Sequence, residues 1–263
     1  MKIGFIGGGN MAEAMIKGIT KQGKKALLVS EPKEERARFL HMTYGIETTQ
    51  SNADVVNSCS FIVLAVKPQN MEEVLNEIGG SISDEQTVMS IAAGITLDYL
   101  TSKIKSKKII RVMPNTPALV QEGMSVMSLC DCFSDEGISV ARDILMSIGK
   151  VITLPEKHID AVTALSGSGP AFFALFIESM IQGGIALGLS EDDAMQLAVQ
   201  TALGTSKLLD TGMNPVKLRE MVTSPGGTTA AGLKVFEDRG FQDIIINAMG
   251  AAENRAKELG KGR

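Results

Sequence analysis

Three glycines, Gly7, Gly8 and Gly9, stand side by side near the start of the chain. They follow a short apolar run and precede a segment with helical spacing, so the pattern predicts a strand, a tight turn and a helix. Together with Ala12 they fit G-x-G-x-x-A, in which Gly7 makes the turn, Gly9 admits a pyrophosphate, and Ala12 lets the helix pack closely on the strand. The helix N-terminus would offer N–H groups to the phosphates. The alternative interpretation is a merely flexible turn.

A second run of small residues covers 223–229 and lies immediately before a helical pattern. Its two glycines, Gly226 and Gly227, are flanked by hydroxyl side chains, which together would provide N–H and O–H donors for an anion such as a carboxylate. The alternative is an ordinary N-cap between two helices. A cap needs only one Ser or Thr, and this segment has more small residues than a cap requires.

Side chains that could act as a general acid are scarce. The chain has two histidines, His41 and His158, neither of which is placed as a catalytic base, and it has no Lys or Arg between Lys157 and Lys207. Hydride transfer to a carbonyl needs an acid to supply the alcohol proton. A C=N bond makes weaker demands, because its nitrogen can arrive already protonated. This composition therefore favours an imine over a ketone as the substrate.

Glu31 follows the second predicted strand, a little over twenty residues after the glycines. A carboxylate at this position of a dinucleotide-binding domain hydrogen-bonds the ribose hydroxyls and disfavours the 2′-phosphate of NADP. Lys33 and Arg36 lie close enough in the sequence to argue for the phosphate. Both NADPH and NADH therefore remain possible cofactors, and Glu31 could instead be a solvated loop acid.

The elements that would position these residues alternate between strands and helices over the first part of the chain. Further strands are predicted at 26–29, 61–66, 87–91, 108–112, 123–128 and 151–154, with a helix at 134–148 before the last of them. The strands at 61–66, 87–91 and 108–112 end in loops of small residues or Pro. In an open parallel sheet such strand ends face the ligand crevice. We therefore predict an α/β fold with a Rossmann-type, mostly parallel sheet over residues 1–155.

The second part of the chain, 156–263, has only helical patterns. The run 159–187 is apolar nearly all round, which predicts a helix buried on several sides. Further helices are predicted at 191–210, 215–222, 228–238 and 241–259. So many apolar helices need more cover than one small domain offers, which indicates an all-helical dimerisation domain.

Composition narrows the possible partners. A net charge of −4, 4% aromatic residues and no Trp argue against nucleic acid as a partner. Without an uninterrupted apolar run of membrane-spanning length, and with Met1 leading directly into the first strand, we expect no membrane association and a cytoplasmic protein. The three cysteines, Cys59, Cys130 and Cys132, are interpreted as buried or incidental thiols, and no metal site is predicted.

Six segments in the same order resemble the Δ1-pyrroline-5-carboxylate reductase family, and the resemblance covers essentially the whole chain. They are 4–11 (GFIGGGNM), 65–68 (AVKP), 90–94 (SIAAG), 113–118 (MPNTPA), 165–171 (LSGSGPA) and 224–229 (SPGGTT). The resemblance implies the last enzyme of proline synthesis, with a Rossmann domain and a helical domain that interlocks with a second subunit, often within a ring of dimers. This chain differs from the family pattern at Glu31, where members often carry a smaller residue. The difference leaves the preference for NADPH open.

The resemblance also implies site residues. With Ile6 and Glu31 added, the predicted cofactor-binding residues are Ile6, Gly7, Gly8, Gly9, Asn10, Met11, Ser30, Glu31, Pro32, Asn52, Ala65, Val66, Lys67, Pro68, Ile91, Ala92 and Ala93. The predicted substrate-binding residues are Ser224, Gly226, Gly227, Thr228 and Thr229, with the Thr229 hydroxyl nearest the ring nitrogen as the catalytic group.

The leading hypothesis is reduction of the C=N bond of pyrroline-5-carboxylate to L-proline by NAD(P)H. Thr229 would position or protonate the nitrogen, and Lys67 is a second catalytic candidate that could equally orient its loop or contact the cofactor. One alternative is a β-hydroxyacid dehydrogenase, a class that normally places a catalytic Lys on the long interdomain helix. The other is a catalytically silent homologue that binds a dinucleotide as a sensor or assembly partner.

Overall fold

The structure, a computed structural model, describes residues 1–23, 26–130 and 135–261. The chain divides into two compact units. The first contains Met1–Ser168 and is joined by the end of the last helix from Ala252 onward, and the second contains Gly169–Ala251. The sequence-based boundary between 155 and 156 thus falls inside the first unit, next to its last strand.

The first unit is built on one sheet of eight strands, β1 (Lys2–Ile6), β2 (Ala26–Ser30), β3 (Glu47–Thr49), β4 (Phe61–Leu64), β5 (Thr87–Ser90), β6 (Ile109–Met113), β7 (Gly123–Leu129) and β8 (Gly149–Thr153). The strand order is β3-β2-β1-β4-β5-β6-β7-β8. Neighbours are parallel except β6 and β7, which are antiparallel. The predicted Rossmann-type, mostly parallel sheet is confirmed. Its direction of winding reverses between β1 and β4, which is where such sheets bind ligands.

Helices cover both faces of this sheet. They are α1 (Asn10–Lys21), α2 (Glu34–Tyr44), α3 (Asn52–Ser58), α4 (Met71–Ile78), α5 (Leu97–Lys103), α6 (Asp135–Met146) and α7 (Ile159–Val162). Strand β4 shows why the strands are apolar throughout. Phe61 and Val63 enter one hydrophobic core, and Ile62 and Leu64 enter the core on the opposite face. A strand buried on both faces has no solvent side, so its sequence need not alternate.

The second unit is entirely helical, as predicted, and consists of α8 (Gly169–Ala186), α9 (Glu191–Asp210), α10 (Pro215–Met221), α11 (Thr228–Asp238) and the first half of α12 (Phe241–Gly260). Local sequence defines the helix starts. Ser190 caps α9 by accepting a hydrogen bond from the Asp193 N–H at 3.2 Å. Asn214 caps α10 in the same way, with Pro215 at the first helical position, where its missing N–H is not needed.

The long apolar helix predicted over 159–187 differs from the structure in two ways. It is interrupted by a π-helical turn at Thr163–Gly167 between α7 and α8. Within a single chain, α8 is also largely exposed rather than buried: Phe173 is 68% and Leu175 63% accessible. An all-round apolar pattern predicts that a helix is covered from solvent, but it does not predict whether its own chain or a second copy covers it.

The same region bears on the expectation that the chain has no apolar segment of membrane-spanning length. The helical segment 156–186 is long and apolar enough, by length and composition only, to cross a membrane, and 17% of its most apolar window is buried in the chain. Such a segment also fits a helix that packs against another subunit.

Candidate functional site

The predicted cofactor-binding residues of the first unit follow the carboxyl ends of five neighbouring strands, β3, β2, β1, β4 and β5. Backbone hydrogen bonds continue the sheet beyond these ends. The Gly7 N–H donates to Ser30 O at 2.9 Å, Ala65 N–H to Ile6 O at 2.9 Å, and Ile91 N–H to Leu64 O at 3.2 Å. The structure therefore brings the strand-end segments at 6–11, 30–32, 65–68 and 91–93 together at one edge of the sheet.

The glycine turn has the shape that a dinucleotide requires. Gly7 has φ +96°, and a Cβ there would lie 2.8 Å from Ala65 O, so only glycine fits. Gly9 is the N-cap of α1, and a Cβ on it would meet no heavy atom of the described residues within 4 Å. Because Gly9 has no side chain to accept from the first-turn N–H groups, these donors stay available to an anion. The turn thus fits a pyrophosphate.

Glu31 is 8% accessible and is not the solvated loop acid considered as an alternative. Its carboxylate is turned toward the backbone. Oε2 accepts the Gly8 N–H at 3.0 Å, and Oε1 accepts the Lys33 N–H at 3.0 Å. The carboxylate therefore connects the turn after β1 to the turn after β2.

Arg36, which sequence reasoning treated only as a possible phosphate ligand, is held in a second set of contacts. Its Nε donates to Gly8 O at 2.6 Å, and its Nη2 donates to Glu13 Oε2 at 2.6 Å. The Tyr44 hydroxyl donates to the other oxygen of Glu13 at 2.7 Å. This group of Glu13, Arg36 and Tyr44 ties α1 to α2 beside the glycine turn.

The pKa values of this group reflect its partial burial. For Glu13, burial acts to raise the pKa, but the hydrogen bonds from Tyr44 and Arg36 outweigh it, and the pKa lies below its usual value. Burial and the hydrogen bond to Glu13 raise the pKa of Tyr44 to about 12. Both shifts favour an ionised Glu13 beside a protonated Tyr44 at neutral pH.

Two further predicted cofactor residues, Ser30 and Asn52, contact each other. The Ser30 hydroxyl donates to Asn52 Oδ1 at 2.7 Å, while Asn52 Nδ2 donates to Glu77 Oε2 at 2.7 Å. Asn52 is the first residue of α3, which Ser51 caps. The structure thus places these two polar side chains together beside the end of β2. Lys67, by contrast, has an exposed side chain and precedes a short 3₁₀ turn at Pro68–Asn70.

Asn115 and Ser166 stand in motifs that were noted in the sequence but given no role. Asn115 follows β6, and its Oδ1 accepts the Met124 N–H at 2.8 Å while its Nδ2 donates to Ser166 Oγ at 3.3 Å. Ser166 lies in the π-helical turn, a feature that is frequent at functional sites. The signal that could have revealed this pair is an amide two residues after a strand that ends at the ligand edge.

The predicted substrate turn belongs to the second unit. The Gly227 N–H donates to Ser224 O at 3.0 Å, Pro225 is the first central residue, and Gly226 has φ +70°. Pro followed by a residue with positive φ is the arrangement of a type II turn, which explains the sequence SPGG. Gly227 is the N-cap of α11.

Because the cap of α11 is a glycine, neither Ser224 nor Thr228 serves as the capping side chain considered in the sequence. The first N–H groups of the helix, at Thr228 and Thr229, are then free to bind an anion. Thr229 is half-buried, whereas Ser224 and Thr228 are exposed. The turn is thus suited to hold a carboxylate beside a hydroxyl group.

His41 and the three cysteines are further titratable residues that the sequence analysis considered. His41 Nδ1 lies 2.8 Å from Ile46 O. Cys59 is a buried free thiol, and burial raises its pKa to about 11; Cys130 is half-buried and free, and Cys132 lies outside the described residues. Among the residues that the structure describes, no group of three or more His, Cys, Asp or Glu could hold a metal ion.

Comparison with known proteins agrees with the geometry of both units. A family model described as pyrroline-5-carboxylate reductase dimerisation matches residues 156–259, and one described as NADP oxidoreductase coenzyme F420-dependent matches residues 2–94. The chain is 40% identical to a pyrroline-5-carboxylate reductase of Synechocystis sp., over 99% of both chains.

Solved structures give the same relationship. A pyrroline-5-carboxylate reductase of Coxiella burnetii superposes with a TM-score of 0.92 at 35% identity, over 98% of both chains. The pyrroline carboxylate reductase of Plasmodium falciparum, solved with NADP bound, gives a TM-score of 0.88 at 33% identity, over 99% of this chain and 98% of that one. The chain therefore belongs to the pyrroline-5-carboxylate reductase family.

Proposed function

We propose that this protein reduces the C=N bond of Δ1-pyrroline-5-carboxylate with NADPH or NADH to give L-proline, the last step of proline synthesis. The observation that carries the proposal is that this member of the family has two helices capped by a glycine without a capping side chain, α1 at Gly9 and α11 at Gly227, so that each leaves its first N–H groups for an anion. The first suits a pyrophosphate and the second a carboxylate.

The cofactor would be held by the strand-end segments of the first unit. Backbone N–H groups at Gly9–Met11 would bind the pyrophosphate, Ser30, Pro32 and Asn52 would line the ribose side, and Ala65–Pro68 with Ile91–Ala93 would line the nicotinamide side. When bound, the reduced nicotinamide supplies the hydride. The open space beside Gly9 and the positive φ of Gly7 are the features of this chain that fit the group.

The substrate would be held through its carboxylate. Ser224, Gly226, Gly227 and Thr228 would bind it with hydroxyl groups and the first N–H groups of α11, where the helix dipole favours a negative charge. This contact fixes the ring, so that the C=N carbon has one orientation toward the hydride. Thr229, a half-buried hydroxyl in the first turn of α11, would contact the ring nitrogen.

The proton balance explains why this chain can work without a charged acid at the turn. The substrate nitrogen enters as a protonated iminium, so a hydride added to carbon gives an amine that keeps the same proton. The Thr229 hydroxyl then has only to orient the nitrogen by a hydrogen bond. A β-hydroxyacid dehydrogenase must protonate an alkoxide instead, which the Lys- and Arg-free stretch between Lys157 and Lys207 does not favour.

The protein is a homodimer in this proposal, formed by the helical domain at 156–263, with residues 1–155 binding the dinucleotide. The dimerisation family model begins at residue 156, and the exposed apolar side chains of α8, among them Phe173, Leu175 and Phe176, are of the kind that a second copy would cover. Interlocking of the two helical domains, a ring of dimers and a cytoplasmic location remain predictions. Phe173→Asp combined with Leu175→Asp should shift the protein to monomers in analytical ultracentrifugation, and an unchanged dimer would show that α8 lies outside the interface.

The test of function is oxidation of NADPH and of NADH by the purified protein with pyrroline-5-carboxylate, followed by nicotinamide absorbance and by detection of proline. Turnover that yields proline is the expected result. Binding of either dinucleotide without turnover would favour the catalytically silent homologue, and turnover only with hydroxy acids would favour the dehydrogenase.

A further inference from the structure

Gly8 is held by side chains on both of its backbone polar groups. Its N–H donates to Glu31 Oε2 at 3.0 Å, and its C=O accepts from Arg36 Nε at 2.6 Å. Gly8 is the central residue of the glycine turn. Both of its partners, Glu31 and Arg36, belong to the segment that follows β2. These two side chains are called the Gly8 clamp below, because together they hold the glycine turn that follows β1.

The two hydrogen bonds fix two successive peptide planes. In a trans peptide the C=O and the following N–H point in opposite directions. Arg36, by binding Gly8 O, therefore directs the Gly9 N–H away from itself, and Glu31, by binding the Gly8 N–H, directs the Gly7 C=O away. Gly9 begins the series of N–H groups at the start of α1, so its orientation decides whether that series is complete.

Each member of this clamp is itself fixed. Glu31 is 8% accessible, and its second oxygen accepts the Lys33 N–H at 3.0 Å. The guanidinium of Arg36 also binds Glu13 at 2.6 Å and lies 5.2 Å from the centre of the Phe39 ring. Side chains fixed in this way are suited to preorganise a binding site.

We propose that Glu31 and Arg36 are positioning residues for the dinucleotide, and that Glu31 acts through the Gly8 backbone rather than by reading the ribose. The proposal rests on the dinucleotide site proposed above. An acid that selects NADH must present its carboxylate to the ribose hydroxyls and repel a 2′-phosphate. Here the carboxylate is buried, and each of its oxygens already accepts a backbone N–H. Glu31 thus supports NADPH and NADH equally.

The test measures the dissociation constants of both dinucleotides directly, by calorimetry or by nicotinamide fluorescence, without turnover. Glu31→Ala leaves the Gly8 N–H without its acceptor and should raise both constants about tenfold, with their ratio unchanged within about twofold. Glu31→Gln keeps an oxygen for this N–H and should recover most of the affinity for both. Exposed Glu35, changed to Ala, is the control for loss of a negative charge in the same segment.

Arg36→Met keeps an apolar stem over Phe39 but removes both donors. It should weaken both dinucleotides by a similar factor, and its effect should not add to that of Glu31→Ala, because both act on Gly8. In turnover, KM for each dinucleotide should rise while kcat and KM for the imine stay unchanged. If Glu31→Ala does not fold, Glu31→Gln and Arg36→Met supply the same comparison.

A specific shift of the ratio would overturn the proposal. If Glu31→Ala and Glu31→Gln both favoured NADPH over NADH about tenfold more than the parent protein does, the carboxylate would be reading the ribose. Unchanged affinities in Glu31→Ala would also exclude the clamp. A parent protein that bound neither dinucleotide would instead refute the proposed function, so the two failures are distinguishable.

Discussion

Arg111 and Glu156 form an ion pair between the sheet and the segment that follows its last strand. Arg111 lies on β6 and is 5% accessible, and its Nη1 donates to Glu156 Oε1 at 2.7 Å. The same carboxylate oxygen accepts the Leu97 N–H, at the start of α5, at 2.8 Å. Glu156 therefore neutralises a buried charge and also satisfies a helix-start donor.

This arrangement predicts an asymmetry between the two partners. Glu156→Gln leaves the Arg111 charge buried and should lower the free energy of unfolding by about 2 kcal/mol, less than for a fully buried pair because the glutamate is partly exposed. Arg111→Met removes the buried charge, so it should cost only about 1 kcal/mol.

Urea unfolding at a fixed protein concentration measures both values, since the stability of a dimer depends on concentration. The control is Glu47→Gln, which breaks the solvent-screened pair with Lys2 and should leave the free energy of unfolding nearly unchanged. A larger loss for Arg111→Met than for Glu156→Gln would contradict the asymmetry.

Gly9→Ala tests the open side of the glycine turn. Gly9 has φ −68°, which alanine adopts readily, and its Cβ would meet no described heavy atom within 4 Å, so the melting temperature of the free protein should not change. A bound pyrophosphate would meet this methyl group, and the dissociation constants of NADPH and NADH should rise at least about tenfold.

Gly80→Ala is the matched control for Gly9→Ala, because a Cβ on Gly80 is equally free of contacts with the described residues. It should leave both dissociation constants unchanged. Equal affinities in the two variants would show that the pyrophosphate does not lie against Gly9.

Sequence reasoning succeeded where the chain carries a local signal. The helix at 228–238 was predicted with its observed bounds because Gly226 and Gly227 define its start. Strand β4 was predicted from its apolar run, although it ends at Leu64 rather than 66. Strand β3, at Glu47–Thr49, was missed because three polar residues have neither an apolar run nor an alternation to detect.

Other features depend on contacts in the folded chain that the hydrophobic periodicity of the sequence does not predict. The π-helical turn at Thr163–Gly167 lies inside a run whose apolar pattern is the same for an α-helix and a π-helix. The sequence placed Glu31 at the end of β2, but its side-chain direction depends on Gly8 and Lys33 as partners. The exposure of α8 within one chain is likewise absent from its all-round apolar pattern, which is the same for a helix covered by its own chain and for one left exposed.

Gly226→Ala tests the substrate turn against a matched backbone change. Gly226 has φ +70° and Gly212 has φ +92°, and a Cβ on either would meet no described heavy atom within 4 Å. Alanine at each position should therefore cost about 1 kcal/mol of backbone strain. Only Gly226→Ala should also raise KM for pyrroline-5-carboxylate, by about tenfold, because its turn would bind the carboxylate. A similar KM in both variants would place the carboxylate elsewhere.

Thr229 is predicted to contribute through its hydroxyl. Thr229→Val keeps the branched shape and Thr229→Ala removes it, and both should lower kcat about a hundredfold. Thr229→Ser keeps the hydroxyl and should stay within about threefold of the parent kcat. Steady-state kinetics with saturating dinucleotide measures these values. Unchanged turnover in both Val and Ala variants would rule out a catalytic role for the hydroxyl.

Tyr44 allows the polar group beside the glycine turn to be tested by titration. The chain has two tyrosines and no Trp, so in a Tyr99→Phe background the phenolate absorbance reports Tyr44 alone. Its pKa should lie near 12, raised from 10.0 by burial and by the hydrogen bond to Glu13. At about pH 11, where a solvated tyrosine is mostly ionised, Tyr44 should remain mostly protonated while circular dichroism shows the chain folded.

The pKa shifts of Tyr44 and Glu13 make the free energy of unfolding depend on pH at opposite ends of the pH range. Because the folded pKa of Tyr44 is raised, its contribution is complete below pH 10 and is lost as the pH rises through about 12. The pKa of Glu13 is lowered, so its contribution is present above about pH 4.5 and is lost as the pH falls through the folded value. Glu13→Gln removes the carboxylate that accepts from Tyr44, so it should move the Tyr44 pKa back toward 10. A Tyr44 that titrates near 10 in the folded parent protein would show that it does not donate to Glu13 in solution.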